Sequence, residues 1–235
     1  MTPLLYALLA AGANVVGALA VTARERRSLR LLDALIAFSA GFMISVALTQ
    51  LVPHALARGG AETGAVILAG YLIVHLTQHT LTQHFHFGEE THHVTPVISM
   101  TALAGLMVHT FVDGVAIASG FAVSRAVGQL VFVAIVLHKL PEGLAIASLF
   151  LAAGSTRRVA ISAAGALGLA TLAGVALTRV LAPLAEYGLA LAAGVTLYVA
   201  ASNLVPEFQA KRGWRLALYF FGGCVVYGTA HMLVH

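Results

Sequence analysis

The sequence is poor in charge. Charged residues make up 9% of the 235 residues, whereas a soluble domain contains about 25%. This shortage, together with 60% hydrophobic residues, excludes an ordinary soluble protein and predicts a protein embedded in a lipid bilayer. The net charge of +4 comes with arginines at the ends of apolar stretches, so it gives no indication of nucleic-acid binding.

Cysteine is nearly absent as well. Cys224 is the single cysteine, which excludes an internal disulfide framework and a metal site built from clustered cysteines. Polar stretches are too short for a separate soluble domain, so residues 1–235 are predicted to form one transmembrane domain. Continuous apolar runs favour helices, because the strands of a membrane barrel alternate apolar and polar residues.

Eight apolar stretches are long enough to cross a bilayer. A span needs about 20 residues, and these stretches cover about 3–23, 33–57, 63–87, 95–121, 125–152, 157–181, 184–209 and 213–234. The odd-numbered links between them carry nine Lys and Arg residues and the even-numbered links carry three. By the positive-inside rule, the odd links are cytoplasmic and both termini lie outside. The apparent lack of a long targeting segment fits a bacterial inner (plasma) membrane protein.

One motif occurs twice, 29 residues apart. The first copy reads VHTFVDGVAIAS over 108–119, and the second reads LHKLPEGLAIAS over 137–148. Four residues are about one helical turn, so His109 and Asp113 share a face, as do His138 and Glu142. If the two faces meet, two imidazoles and two carboxylates form a ligand set for a divalent metal. The alternative is that these groups only bond helix to helix; two pairs in a repeated frame favour the metal site.

A second repeat has an offset of 153 residues. AGFMISVALTQLVPH spans 40–54 and AGVTLYVAASNLVPE spans 193–207. The topology makes these two spans antiparallel, so spans 1–3 and 6–8 are expected to be inverted repeats around a central pair formed by spans 4 and 5. This is a transporter plan, with the substrate site near the midplane. Similar Gly and Pro spacing also arises from packing alone.

Other polar residues flank the predicted site. These residues are Gln50, His54, Asn203 and Glu207. They either line a transport pathway or cap helices, and capping is the better explanation for each residue taken alone. His75 and His79 share a helical face before a His- and Glu-bearing loop at 88–94, predicted to be cytoplasmic. That stretch either receives or senses metal, or it is a polar loop with no metal role.

The two motifs, in the fourth and fifth of eight spans after a His-bearing loop, resemble those of the ZIP (Zrt/Irt-like) metal transporter family. The resemblance extends over essentially the whole chain. It implies uptake of zinc or a related divalent ion into the cytosol, often with a second metal beside the first. It also implies an elevator-like motion of spans 1, 4, 5 and 6 against spans 2, 3, 7 and 8. The matching metal-binding positions are His109, Asp113, His138 and Glu142.

Three departures from the family pattern concern the second metal. Thr110 stands where Asn is common, and Lys139 stands where an acid often bridges two metals. The sixth span has SAAGALG and no carboxylate where some members carry Glu, while the His-Lys pair resembles the Golgi-type branch. We therefore expect a mononuclear site in which Lys139 pairs with Glu142 or Asp113. The alternative is that Lys139 extends toward the interface or meets another carboxylate.

The sequence thus predicts a transporter of divalent metal ions, not an enzyme. Zn²⁺ is the expected substrate, and the mixed ligand set also admits Fe²⁺, Mn²⁺, Cd²⁺ and Ni²⁺. An intramembrane metal-dependent hydrolase is the alternative from another class, although HExxH is absent, and a metal sensor is a third. The oligomeric state stays open, and a homodimer is compatible with the sequence.

Overall fold

The structure is a computed structural model that describes residues 2–23, 29–78, 96–209 and 214–234. Within these ranges the chain is helical apart from short links and contains no strand. Eight helices follow each other: α1 (Pro3–Ala23), α2 (Leu29–Val46, continued by a π-helical segment Ala47–Leu51 and by Val52–Arg58), α3 (Thr63–Leu76), α4 (Pro96–Val123), α5 (Arg125–Ala152), α6 (Arg157–Thr178), α7 (Ala182–Tyr198, continued by a π-helical segment Val199–Leu204 and by Val205–Gln209) and α8 (Trp214–Val234).

These helices confirm the all-helical membrane fold. Seven of them are long and apolar enough to cross a membrane, and the described α-helical part of α3 has 14 residues. The remainder of the predicted third span, 79–87, and the predicted loop 88–94 lie outside the described residues. The sixth helix ends at Thr178, three residues earlier than predicted, because a turn follows it and Pro183 opens the next helix.

The helices pack as two groups of four. One group contains α1, α4, α5 and α6, in which α1 packs against α5 and α6, and α4 packs against α5 and α6. The other contains α2, α3, α7 and α8, in which α2 packs against α8 and α3 against α7. Contacts of α4 with α7 and of α2 with α5 join the groups. This division matches the two bundles that the family resemblance implies; the motion of one against the other stays a prediction.

Glycine contacts in the second group recur at the offset of the second sequence repeat. A Cβ at Gly41 in α2 would collide with the carbonyl of Phe220 in α8, and one at Gly194 in α7 with the carbonyl of Ile67 in α3. The reciprocal contacts obey the same 153-residue relation, with Gly223 against Phe38 and Gly70 against Leu191. Both copies also contain a π-helical segment before their Val-Pro pair. These contacts support the inverted repeat, which stays a prediction for the chain as a whole.

Two apolar clusters fill the interior, and a polar layer separates them in the first group. Along each of its four helices, a residue of one cluster is followed by at least one buried polar residue and then by a residue of the other cluster. In α5 the polar interval lies between Ile135 and Ile146, and in α6 it lies between Leu167 and Val175. The layer therefore occupies the middle of these helices, where a membrane is most apolar.

Candidate metal centre

The two motif copies bring their predicted ligands together. His109 and Asp113 lie on one face of α4, and His138 and Glu142 on one face of α5. All four side chains are buried, and each offers a ligand atom that lies within 4.8 Å of the ligand atoms of the others. The convergence that the repeated motif predicts is therefore present in the fold, and the group could hold a metal ion.

The glycine after each acid lets a neighbouring helix approach the site. A Cβ at Gly114 would collide with the backbone of α6 at Thr171, and a Cβ at Gly143 with the backbone of α1 at Asn14. Small residues allow such close helix contact in membranes. The Asp-Gly and Glu-Gly pairs therefore place each carboxylate beside a packed helix, which excludes lipid from the site.

Asp113 is the central residue of the site. Its Oδ2 lies 2.7 Å from Lys139 Nζ, 3.3 Å from His138 Nε2 and 3.5 Å from His109 Nε2. A single carboxylate oxygen therefore meets three nitrogens from two helices. Glu142 is linked to Asp113 through Lys139, because Glu142 Oε2 accepts a hydrogen bond from Lys139 Nζ at 2.9 Å.

His138 is oriented by its own helix. Its Nδ1 lies 2.9 Å from the carbonyl oxygen of Ala134, which can only accept a hydrogen bond, so Nδ1 carries a proton. Its Nε2 then faces Asp113 Oδ2. Two acceptors in that position need a shared proton or a shared cation between them. The arrangement thus presents Nε2 as a ligand, with its tautomer fixed in the way that is common for metal-binding histidines.

Lys139 is fully buried and bridges the two acids, at 2.7 Å from Asp113 and 2.9 Å from Glu142. With neutral imidazoles, two carboxylates and one ammonium give the centre a net charge of −1. One dication reverses this to +1, whereas two would raise it to +3 in a water-poor interior. The expected pairing of Lys139 with Glu142 or Asp113 occurs with both.

Pro141 lies inside α5, between the second His and its acid. A proline has no N–H, so the carbonyl of Leu137, four residues earlier, lacks its helical partner. The buried hydroxyl of Ser39 in α2 lies 3.0 Å from that carbonyl and 2.7 Å from the carbonyl of Leu35. A residue of the other helix group therefore satisfies the backbone beside the site.

The hydrogen-bond partners of Thr110, Gln50 and His54 are residues outside the four-residue group. The hydroxyl of Thr110 donates to the carbonyl of Met107 in its own helix. Gln50 is buried and donates to the Tyr227 hydroxyl in α8, with His231 Nδ1 at 3.1 Å. His54 Nδ1 donates to the carbonyl of Gln50.

The remaining described candidates lie on α3 and α7. The ring of the exposed His75 packs against the ring of Tyr198, with the two ring centroids 5.7 Å apart. Asn203 is half-buried in the π-helical part of α7. Glu207 belongs to the last part of α7, and its side chain, like His79, lies outside the described residues. A pathway role for these residues stays a prediction.

Sequence reasoning missed Asn14, Ser39 and Thr171. All three side chains are 0% exposed and lie near the motif helices. Asn14 could have been singled out from the sequence, because an amide in an apolar membrane span is energetically costly. Ser39 and Thr171 could not, because hydroxyl side chains are common in such spans, where they bond to their own helix.

The fold and the centre define a class, namely helical membrane proteins with a buried ligand set for a divalent cation. The ZIP zinc transporter family model matches residues 88–235, more than half of the chain, and the chain belongs to this family. No individual curated protein matches it. Family membership supports divalent-metal transport and gives no support to the hydrolase alternative.

Proposed function

We propose that this protein carries zinc into the cytosol through one cation site formed by His109, Asp113, His138 and Glu142. The observation that carries the proposal is the meeting of four buried ligand atoms within 4.8 Å, in the polar layer between the helices of the first group. Imidazole and carboxylate together suit zinc and also admit Fe²⁺, Mn²⁺ and Cd²⁺. The protein moves the ion without chemical change and is not an enzyme.

A single ion is favoured because Lys139 already neutralises part of the acidic charge. Glu142 Oε2 is held by the ammonium, while its Oε1 has no hydrogen-bond partner. Glu142 can therefore offer Oε1 to a cation and keep Lys139 on Oε2. The ammonium then supplies the positive charge that a second metal supplies in family members with an acid at this position.

Transport requires the site to exchange water for ligands and then release the ion. His109 and Asp113 on α4, with His138 and Glu142 on α5, replace the water of an ion arriving from outside. Release toward the cytosol follows if the first helix group moves against the second, as the family resemblance implies. The charge asymmetry of the links supports an orientation with both termini outside and the 88–94 loop at the cytoplasmic exit, where its His and Glu residues can receive the ion.

Uptake by proteoliposomes tests the proposal. Purified protein is reconstituted, and uptake of Zn²⁺, Fe²⁺, Mn²⁺ and Cd²⁺ is measured for the wild type, His109→Ala and Glu142→Ala. We expect zinc uptake by the wild type and a loss of at least about tenfold in both variants, because each removes one of four ligands. Thr22→Ala, in the apolar part of α1, is the control and should transport normally. Equal uptake by the wild type and the ligand variants would contradict the proposal.

A further inference from the structure

Between Ala7 and Ala18, α1 presents one amide on an otherwise apolar inward face. Ala7, Ala10, Asn14 and Ala18 follow each other at helical spacing, and each is 0% exposed. Neither Nδ2 nor Oδ1 of Asn14 has a hydrogen-bond partner. An amide that loses its water and gains no protein partner destabilises the fold, so this position points to a ligand that the amide binds.

Asn14 lies in the same polar layer as the metal centre. On α1 it falls between Ala10, which belongs to one apolar cluster, and Ala18, which belongs to the other. The ligand turn of α5, from His138 to Glu142, has the same position between the two clusters. α1 packs chiefly against α5 and α6, so its inward face is turned toward this layer.

The packing of α1 on α5 repeats that of α6 on α4. In each case the glycine after the acid and a glycine of the packing helix make reciprocal contacts with backbone carbonyls: Gly143 with Asn14, Gly17 with Leu140, Gly114 with Thr171, and Gly174 with Phe111. The two sets are related by an offset of 29 residues between α4 and α5 and of 157 residues between α1 and α6. Asn14 and Thr171 therefore hold equivalent positions, one beside each acid-bearing turn.

The side chains of Thr171 and Asn14 differ in whether their polar atoms already have hydrogen-bond partners. Thr171 donates its hydroxyl to the carbonyl of Leu167 in its own helix. Asn14 makes no such bond, and Glu142, the residue before its contact Gly143, also has a carboxylate oxygen without a partner. An amide oxygen is a neutral ligand for a divalent cation, and it adds no charge to a centre that Lys139 has already brought to −1.

We propose that Asn14 belongs to the cation site and supplies its amide oxygen to the transported divalent ion from the α1 side. This inference rests on the proposed function, since it adds a fifth protein ligand to the same site. It assigns α1 a part in binding in addition to packing, although the repeated motifs lie only on α4 and α5.

Cobalt binding to purified protein in detergent tests the inference. Co²⁺ absorption reports the ligand set, and titration gives the affinity. Asn14→Leu keeps the volume and removes the oxygen; we expect weaker binding by about tenfold or more and a changed spectrum. Asn14→Asp adds a carboxylate and should tighten binding by about tenfold or more. Thr22→Asp is the matched control: it places the same charge on α1 about 12 Å along the helix and should leave the spectrum unchanged.

The outcomes separate this inference from the proposed function. If His109→Ala and Glu142→Ala abolish cobalt binding while both Asn14 variants keep the wild-type affinity and spectrum, Asn14 is not a ligand and the inference is overturned. If His109→Ala and Glu142→Ala bind cobalt like the wild type, the proposed site is wrong and the inference fails with it. Should Asn14→Leu not fold, the comparison of Asn14→Asp with Thr22→Asp decides, because identical affinities would contradict a position beside the ion.

Discussion

At the residue scale, Lys139 is the most deeply buried group in the centre. Its side chain is fully buried and its ammonium contacts both carboxylates. A buried charge without a partner is strongly destabilising, so the ammonium and the acids depend on each other. The sequence predicted this pairing from one departure in a family motif. It could not predict that both acids share the ammonium, because that requires the two motif turns to meet.

Replacing Lys139 tests this dependence. Lys139→Met keeps the length and removes the charge, which leaves two buried carboxylates facing each other. We expect the free energy of unfolding to fall by about 3–5 kcal/mol without metal, and zinc to restore much of it because a dication can replace the ammonium. Chemical unfolding in detergent, with and without Zn²⁺, measures both effects.

Arg125→Met is the control for that substitution. It removes one positive charge from the exposed beginning of the same helix and should change neither stability nor its dependence on zinc. If Lys139→Met is as stable as the wild type without zinc, the ion pairs contribute little and the account of this residue is wrong.

At the element scale, close helix contacts hold the ligand turns in place. α1 crosses α5 at Gly143, one residue after Glu142, where a side chain would collide with the backbone of Asn14. Ser39 completes the backbone of α5 from the other helix group. The elements themselves could be predicted from apolar length. These contacts could not, because they depend on which helices become neighbours, and a single sequence does not specify that.

Gly143→Ala is the corresponding prediction. The added methyl group must push α1 away from α5, so we expect a loss of about 1–3 kcal/mol in stability and weaker zinc binding. Gly165→Ala on α6 is the matched control, because nothing lies within 4 Å of its Cβ and alanine favours the helix by up to about 1 kcal/mol. Unfolding and zinc titration of both variants measure the difference. Identical behaviour of the two would show that the close contact is not needed.

At the scale of the whole molecule, two groups of four helices pack against each other, and the polar layer lies within the first group. The repeated contacts at offsets of 153 and 157 residues agree with two related halves, of which one contributes α1 beside the Glu142 turn and the other contributes α6 beside the Asp113 turn. The second sequence repeat lies in α2 and α7, and from it the sequence predicted inverted repeats of spans 1–3 and 6–8, which relates α1 to α6. Which residues of α1 and α6 correspond could not be predicted, because alanine-rich spans look alike and only the positions of their glycine contacts give the offset of 157 residues.

The number of tightly bound zinc ions per chain tests the central claim most directly. It is measured by elemental analysis of purified protein after removal of loosely bound metal, for the wild type and for the double variant His109→Ala, Glu142→Ala. The account predicts one ion per wild-type chain and none in the double variant. Two ions per wild-type chain, or one ion still bound to the double variant, would contradict it.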